Sequence, residues 1–81
     1  VFDYDIVTAK KGTRLARLAD EYYGSHMFWP YIYLANKNYL ANPNNIEEGD
    51  IIHIPTLPEY LINTSDTDVL KFLEELEQDL L

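Results

Sequence analysis

Residues that interrupt regular structure recur at short intervals through the first two thirds of this 81-residue chain. Glycines stand at positions 12, 24 and 49, and a proline at position 55 closes the series. Between the second and third glycines, residues 36–45 are rich in asparagine, and Asn42-Pro43-Asn44 is a strong loop signal. These breaks divide the region into short segments, and the spacing of apolar residues predicts the structure of each one.

The first two segments predict a strand followed by a helix. Residues 5–10 contain a β-branched run and end in a turn at Gly12, which is typical of a strand. Thr13 is the predicted N-cap of the helix, and Gly24 suits the left-handed position just beyond its end. The apolar stripe of this helix comprises Leu15, Leu18, Ala19 and Tyr22.

The next two segments predict a second helix and a second strand. Residues 28–37 carry Pro30 in a position that suits a first helical turn, and residues 50–54 read as a strand that Pro55 ends. Because two strands alone are marginally stable, we expect an antiparallel pair with both helices packed on one face. The predicted class is therefore α+β, in the order β-α-α-β.

The remainder predicts a linker and a C-terminal amphipathic helix. Residues 56–64 include Pro58, and residues 66–81 repeat apolar side chains at helical spacing, with Ser65 or Thr67 as the expected cap. The predicted organisation is a module over residues 1–55, a linker over 56–64 and a helix over 65–81.

Composition and charge exclude several classes of partner. The chain has no cysteine, so it has neither a disulfide nor a thiolate metal site. Its formal charge is −8, which disfavours direct binding to nucleic acid or to an anionic membrane surface. No stretch approaches the roughly 18 apolar residues of a membrane-spanning helix.

Seven short motifs follow one another within residues 7–55. In this order and spacing they resemble the LysM family, and in particular a subgroup found in bacterial envelope and phage-tail proteins. The resemblance implies a β-α-α-β fold whose groove holds the N-acetyl groups of chitin or peptidoglycan. The motifs are Gly12-Thr13-Arg14-Leu15, Tyr23-Gly24, Trp29-Pro30-Tyr31-Ile32, Ala35-Asn36-Lys37, Asn42-Pro43-Asn44, Glu48-Gly49-Asp50 and Ile54-Pro55.

The resemblance implies a non-catalytic module that anchors a larger protein to peptidoglycan or another N-acetylglucosamine polymer in the bacterial cell envelope. Backbone groups of two loops would pair with the N-acetyl amide, and Leu15 and Ile46 would contact its methyl group. The residues implied as glycan-binding are Gly12, Thr13, Arg14, Leu15, Asn42, Pro43, Asn44, Asn45 and Ile46.

A second function is compatible with the same resemblance. The family usually has Gly-Asp-Thr or Gly-Asp-Ser where this chain has Gly12-Thr13-Arg14, and Arg14 brings a long charged side chain to the rim of the groove. The alternative is a protein-docking or assembly module that has the LysM fold and has lost glycan binding.

Catalytic and metal-binding patterns are weak. His26 and His53 have no carboxylate or second histidine at ligand spacing, and the adjacency of Ser25 and His26 is not the geometry of a triad. A paired-carboxylate hydrolase needs a cleft and a raised acid pKa, for which a chain of this length offers little. We therefore expect no enzymatic activity, no cofactor and no metal.

Overall fold

A computed structural model of the protein describes residues 4–38, 40 and 46–80. Within these residues the chain forms a two-stranded sheet, three α-helices and two short 3₁₀ helices. In chain order the elements are β1 (Tyr4–Thr8), α1 (Leu15–Tyr23), a 3₁₀ helix (His26–Phe28), α2 (Trp29–Ala35), β2 (Ile51–Pro55), a second 3₁₀ helix (Glu59–Leu61) and α3 (Thr67–Leu80).

The two strands pair antiparallel, with Tyr4 opposite Pro55 and Thr8 opposite Ile51. Pairing extends past the strand ends, because the Ala9 N–H donates to the Asp50 carbonyl at 2.8 Å. Side chains alternate between the two faces of a strand, so one face of the pair packs on the helices and the other faces solvent. The α+β class with an antiparallel strand pair is thus confirmed, in an order compatible with strand, helix, helix, strand.

One apolar core joins the sheet to the helices. Its centre is dry, since Phe28, Ile32 and Ile52 are completely buried. Burial of such apolar surface is the main stabilising contribution to a small fold. The buried members are Ala9, Leu15, Leu18, Ala19, Phe28, Tyr31, Ile32, Tyr33, Leu40, Ile52, Ile54, Val69 and Leu73.

A buried amide side chain links the end of α2 to β2. Asn36 is fully buried, and its Nδ2 donates to the carbonyls of Ile32 at 2.6 Å and His53 at 2.7 Å. Its Oδ1 accepts from the His53 N–H at 2.8 Å. The side chain therefore pairs like a short piece of backbone and satisfies strand groups that lack a second strand partner on this side.

The segment after β2 packs against the same core. Val69 and Leu73 of α3 are buried in it, and the Phe72 ring stacks on Tyr31 with centroids 6.4 Å apart. The Tyr31 hydroxyl also donates to the Leu61 carbonyl at 3.0 Å. The division at residues 55, 64 and 65 stays a prediction, but the three parts share one core within the described residues.

Several sequence-based boundaries differ from the structure. The first strand occupies Tyr4–Thr8 rather than residues 5–10, and α2 begins at Trp29 after a 3₁₀ turn and ends at Ala35. The shortened end of α2 reflects Asn36, whose side chain turns toward β2 instead of solvent. Gly24 has φ 85° and ends α1 as the sequence predicted.

Both predicted N-caps are wrong. Position 14 holds the cap of α1, and its Arg side chain makes no capping hydrogen bond, because a guanidinium group has no acceptor. The Thr13 hydroxyl instead accepts from the Lys10 N–H in the preceding turn. At α3 the carboxylate of Asp66 accepts from the Asp68 N–H at 2.9 Å, so neither Ser65 nor Thr67 is the cap. Aspartate is a preferred capping residue, and Asp66 directly precedes the first helical residue, Thr67, which puts its carboxylate within reach of the Asp68 N–H.

Candidate functional site

An open cleft of about 410 Å³ lies where β1 runs into the first turn and α1 begins. Basic side chains of the turn and of the first part of α1 form most of its polar lining. Half-buried Val7 and buried Leu18 contribute apolar surface. The lining residues are Val7, Thr8, Lys10, Lys11, Gly12, Thr13, Arg14, Arg17, Leu18 and Glu21.

A tight turn over residues 10–13 forms one side of the cleft. The Thr13 N–H donates to the Lys10 carbonyl at 3.0 Å, and the Lys10 N–H donates to the Thr13 hydroxyl at 2.8 Å. Between them Gly12 has φ 84°, a left-handed conformation that glycine adopts at little steric cost. The two hydrogen bonds fix the backbone from which Lys10 and Lys11 project.

The start of α1 forms the other side and is built against the usual helix preferences. Arg14 stands at the N-cap in extended conformation (φ −130°, ψ 145°) and the first turn holds no acidic residue. A helix N-terminus carries partial positive charge and favours anions, so Arg14 and Arg17 there add charge of the same sign. This end of α1 is therefore electropositive and has no capping side chain of its own.

Positive charge is concentrated in the cleft. Four of the chain's six Lys and Arg residues line it, together with a single carboxylate, while two basic and thirteen acidic residues stand elsewhere in the sequence. That carboxylate, Glu21, lies 3.6 Å from Arg17 across one helical turn, and both side chains are more than half exposed. Such an exposed pair contributes little to stability. One carboxylate also balances only one of the four positive charges in the cleft.

The structure brings together only part of the predicted site. Gly12, Thr13 and Arg14 line the cleft, whereas Leu15 is 3% exposed and belongs to the core. Ile46 is half-buried and packs against the same core, and neither apolar residue lines the cleft. The remaining predicted residues, Asn42, Pro43, Asn44 and Asn45, lie outside the described residues.

Sequence reasoning missed Lys10, Lys11 and Arg17 as members of the cleft. A signal was present, because most of the basic residues of an acidic chain fall within positions 10–17. Net charge counted over the whole module conceals this, since residues 1–55 hold seven acidic and five basic residues.

Two buried tyrosine hydroxyls lie outside the cleft. Burial, together with the negative charge of Asp5, raises the pKa of Tyr23, whose hydroxyl donates to the Pro55 carbonyl. Burial also raises the pKa of Tyr31, which donates to the Leu61 carbonyl. Each phenol donates to a backbone carbonyl of a later segment, so both hydroxyls have a structural role, and burial is the main cause of both shifts.

Residues 4–38, 40 and 46–80 contain no cluster of metal ligands and no helix that could span a membrane. No three histidine, cysteine or acidic side chains in that part of the chain lie close enough to hold a metal ion. The helices described there are also too short or too polar to cross a membrane.

Comparison with known proteins gives one informative relative. The chain is 42% identical over 53 residues to the N(2)-fixation sustaining protein CowN of Beijerinckia indica subsp. indica. The match covers 63% of this chain and 56% of the relative, so the chain spans just over half of the relative's length. No family model matches the chain, and no solved structure matches it.

These findings overturn the identification as a LysM domain. No LysM model matches, and the relative is named for nitrogen fixation rather than for carbohydrate binding. The predicted glycan-binding function and the predicted peptidoglycan partner are therefore also wrong. The alternative of a docking module is wrong as well, because it presupposed the LysM fold. The physical reason is that Gly12, Gly24 and Pro30 serve turns, helix ends and helix starts, which are needed by many small folds.

Proposed function

We propose that this chain helps to sustain nitrogen fixation as a non-catalytic accessory protein. The observation that carries the proposal is the 42% identity over 53 residues to a protein named for that role. Identity at this level over more than half of both chains supports a shared role more strongly than do the turn and cap motifs. The proposal does not depend on the cell-envelope location that the LysM resemblance implied.

The chemistry of the cleft supports the non-catalytic part of the proposal. General acid–base catalysis uses a group whose pKa lies near the working pH, commonly a histidine or a carboxylate shielded from water. The cleft is lined by exposed Lys and Arg side chains, and its Glu21 carboxylate lies beside Arg17 on the solvent-facing side of α1. A surface of this kind suits recognition of negative charge better than proton transfer.

Genetic complementation tests the proposal. In Beijerinckia indica, the gene of the relative would be deleted, and a condition found in which the deletion slows growth on N₂ but not on ammonium. The deletion strain would then carry this chain, the native relative or an empty vector. We expect this chain to restore a substantial part of N₂-dependent growth and to leave growth on ammonium unchanged.

Two controls make the result interpretable. Because the chain spans 56% of the relative, a shortened relative comprising only the matched segment shows whether that segment suffices. Immunoblotting shows that each protein accumulates to a similar level. If the shortened relative restores growth and this chain, equally abundant, does not, the proposed function is contradicted.

A further inference from the structure

The basic cleft has an excess of positive charge that no contact within the described residues balances. Lys10, Lys11 and Arg14 are exposed and form no ion pair within the described part of the chain, where the single ion pair joins Arg17 to Glu21. Like charges held in one cleft repel one another and oppose folding. These exposed side chains take no part in the described core, so packing does not account for their clustering.

The start of α1 strengthens the same conclusion. An acidic cap at position 14 would favour the helix, yet Arg14 stands there without a capping hydrogen bond. A bound carboxylate would meet the guanidinium group, which can bind both of its oxygens, and would face the positive end of the helix. The start of α1 is therefore less stable than it would be with an acidic cap, and a bound anion would stabilise it.

We propose that the cleft binds carboxylate side chains of an acidic segment of a partner protein. The size and the charge distribution both favour a short acidic segment. A cleft of about 410 Å³ accommodates a few side chains, and its apolar part, at Val7 and Leu18, suits their methylene groups. A long nucleic acid would also approach the thirteen acidic residues outside the cleft and be repelled by them.

This inference adds a partner of stated chemistry to the proposed function and rests on that function for its biological setting. The two can fail separately. Complementation of growth on N₂ tests the function without reference to the cleft, whereas binding of an acidic peptide to the purified protein tests the cleft without reference to nitrogen fixation.

The test is titration of a fluorescently labelled deca-glutamate peptide with the full chain, followed by anisotropy at low and high salt. The double variant Lys11→Glu/Arg14→Glu alters the cleft, and Lys37→Glu/Lys71→Glu makes the same change in net charge at exposed positions outside it. We expect salt-sensitive binding that the cleft variant weakens by about tenfold or more and the control variant by less than about twofold.

Backbone amide shifts of isotope-labelled protein locate the peptide, with the largest changes expected at Gly12, Thr13 and Ala16. Circular dichroism shows whether both variants remain folded. We expect that they do, because all four substituted residues are exposed. Equal weakening by the two variants would overturn the proposal, because it would reflect net charge alone. Tighter binding of a deca-thymidine oligonucleotide, or salt-sensitive self-association of the chain that the cleft variant abolishes, would also overturn it.

Discussion

At the residue scale, a few buried polar groups determine how the segments fit together. Asn36 is the main example, because one amide satisfies backbone groups of both α2 and β2. The sequence placed it at the start of an asparagine-rich loop. Its partner His53 lies 17 positions further along the chain, and no local pattern reports such a distant contact.

We expect Asn36→Ala to lower the free energy of unfolding by about 2–4 kcal/mol, because buried backbone groups of Ile32 and His53 lose their partner. Urea denaturation followed by circular dichroism measures the change. Asn38→Ala, at an exposed position two residues later, is the matched control and should change stability by less than about 0.5 kcal/mol. Equal effects at both positions would refute the structural role assigned to the Asn36 amide.

The Tyr23 hydroxyl gives a pH-dependent prediction. Its folded-state pKa is raised above the value near 10 of an unfolded chain, first by burial and then by the charge of Asp5. The folded state therefore holds this proton more tightly, so the stabilisation is complete below about pH 10 and declines as the pH rises further. Urea midpoints measured between neutral pH and pH 11 should fall accordingly.

Tyr23→Phe should flatten part of that decline and cost about 1 kcal/mol at neutral pH, because the Pro55 carbonyl loses its donor. Tyr22→Phe, at the adjacent and exposed position, should leave both the midpoint and its pH dependence nearly unchanged. A decline that is as steep in Tyr23→Phe as in the native protein would mean that another group causes it.

At the scale of secondary-structure elements, the sequence predicted the types correctly and several ends incorrectly. Gly24 marked the end of α1 because a left-handed residue is a local requirement that glycine meets. The N-cap prediction for α1 was wrong by one residue, because the Thr13 hydroxyl accepts a hydrogen bond within the turn before α1 and Arg14 occupies the N-cap position. Which of two neighbouring residues caps a helix depends on the geometry of the preceding chain.

The uncapped start of α1 leads to a prediction in which stability and binding change in opposite directions. Arg14→Asp should stabilise the fold by about 1 kcal/mol, since an aspartate at the cap accepts from a free N–H and faces the positive end of the helix. It should also weaken binding of the acidic peptide. Thermal and urea denaturation measure the first effect, and peptide titration measures the second.

Lys11→Asp separates these two effects. It makes the same change in charge within the cleft, but at an exposed turn position where no helix N–H is within capping position. We expect it to weaken peptide binding while changing stability by less than about 0.5 kcal/mol. If Arg14→Asp destabilises the protein, the argument that this position gives up helix stability is wrong.

At the scale of the whole molecule, the segment after β2 is part of the core. Leu73→Ala should lower the free energy of unfolding by about 2–5 kcal/mol, because it leaves a cavity among buried side chains of α2 and α3. Trp29 fluorescence and circular dichroism should still report one coincident transition. Glu74→Ala, at the neighbouring exposed position, is the control, and two separate transitions would instead support an independent C-terminal helix.

The candidate site shows the same limit of local reasoning. Gly12, Thr13 and Arg14 line the cleft in the turn before α1, although the resemblance that singled them out is overturned. Leu15 was assigned to that surface from the resemblance, yet its helical spacing with Leu18 directs it to the core. The ligand class did not follow from these three residues, since the charge of the cleft also comes from Lys10, Lys11 and Arg17, a local basic run that the charge of the whole module conceals.

The most direct measurement of the central claim is growth on N₂ of the Beijerinckia indica deletion strain that carries this chain. The native sequence should restore growth, the Lys11→Glu/Arg14→Glu variant should restore much less at equal abundance, and the Lys37→Glu/Lys71→Glu variant should match the native sequence. Failure of the native chain to restore growth, where the matched segment of the relative succeeds, would contradict the account.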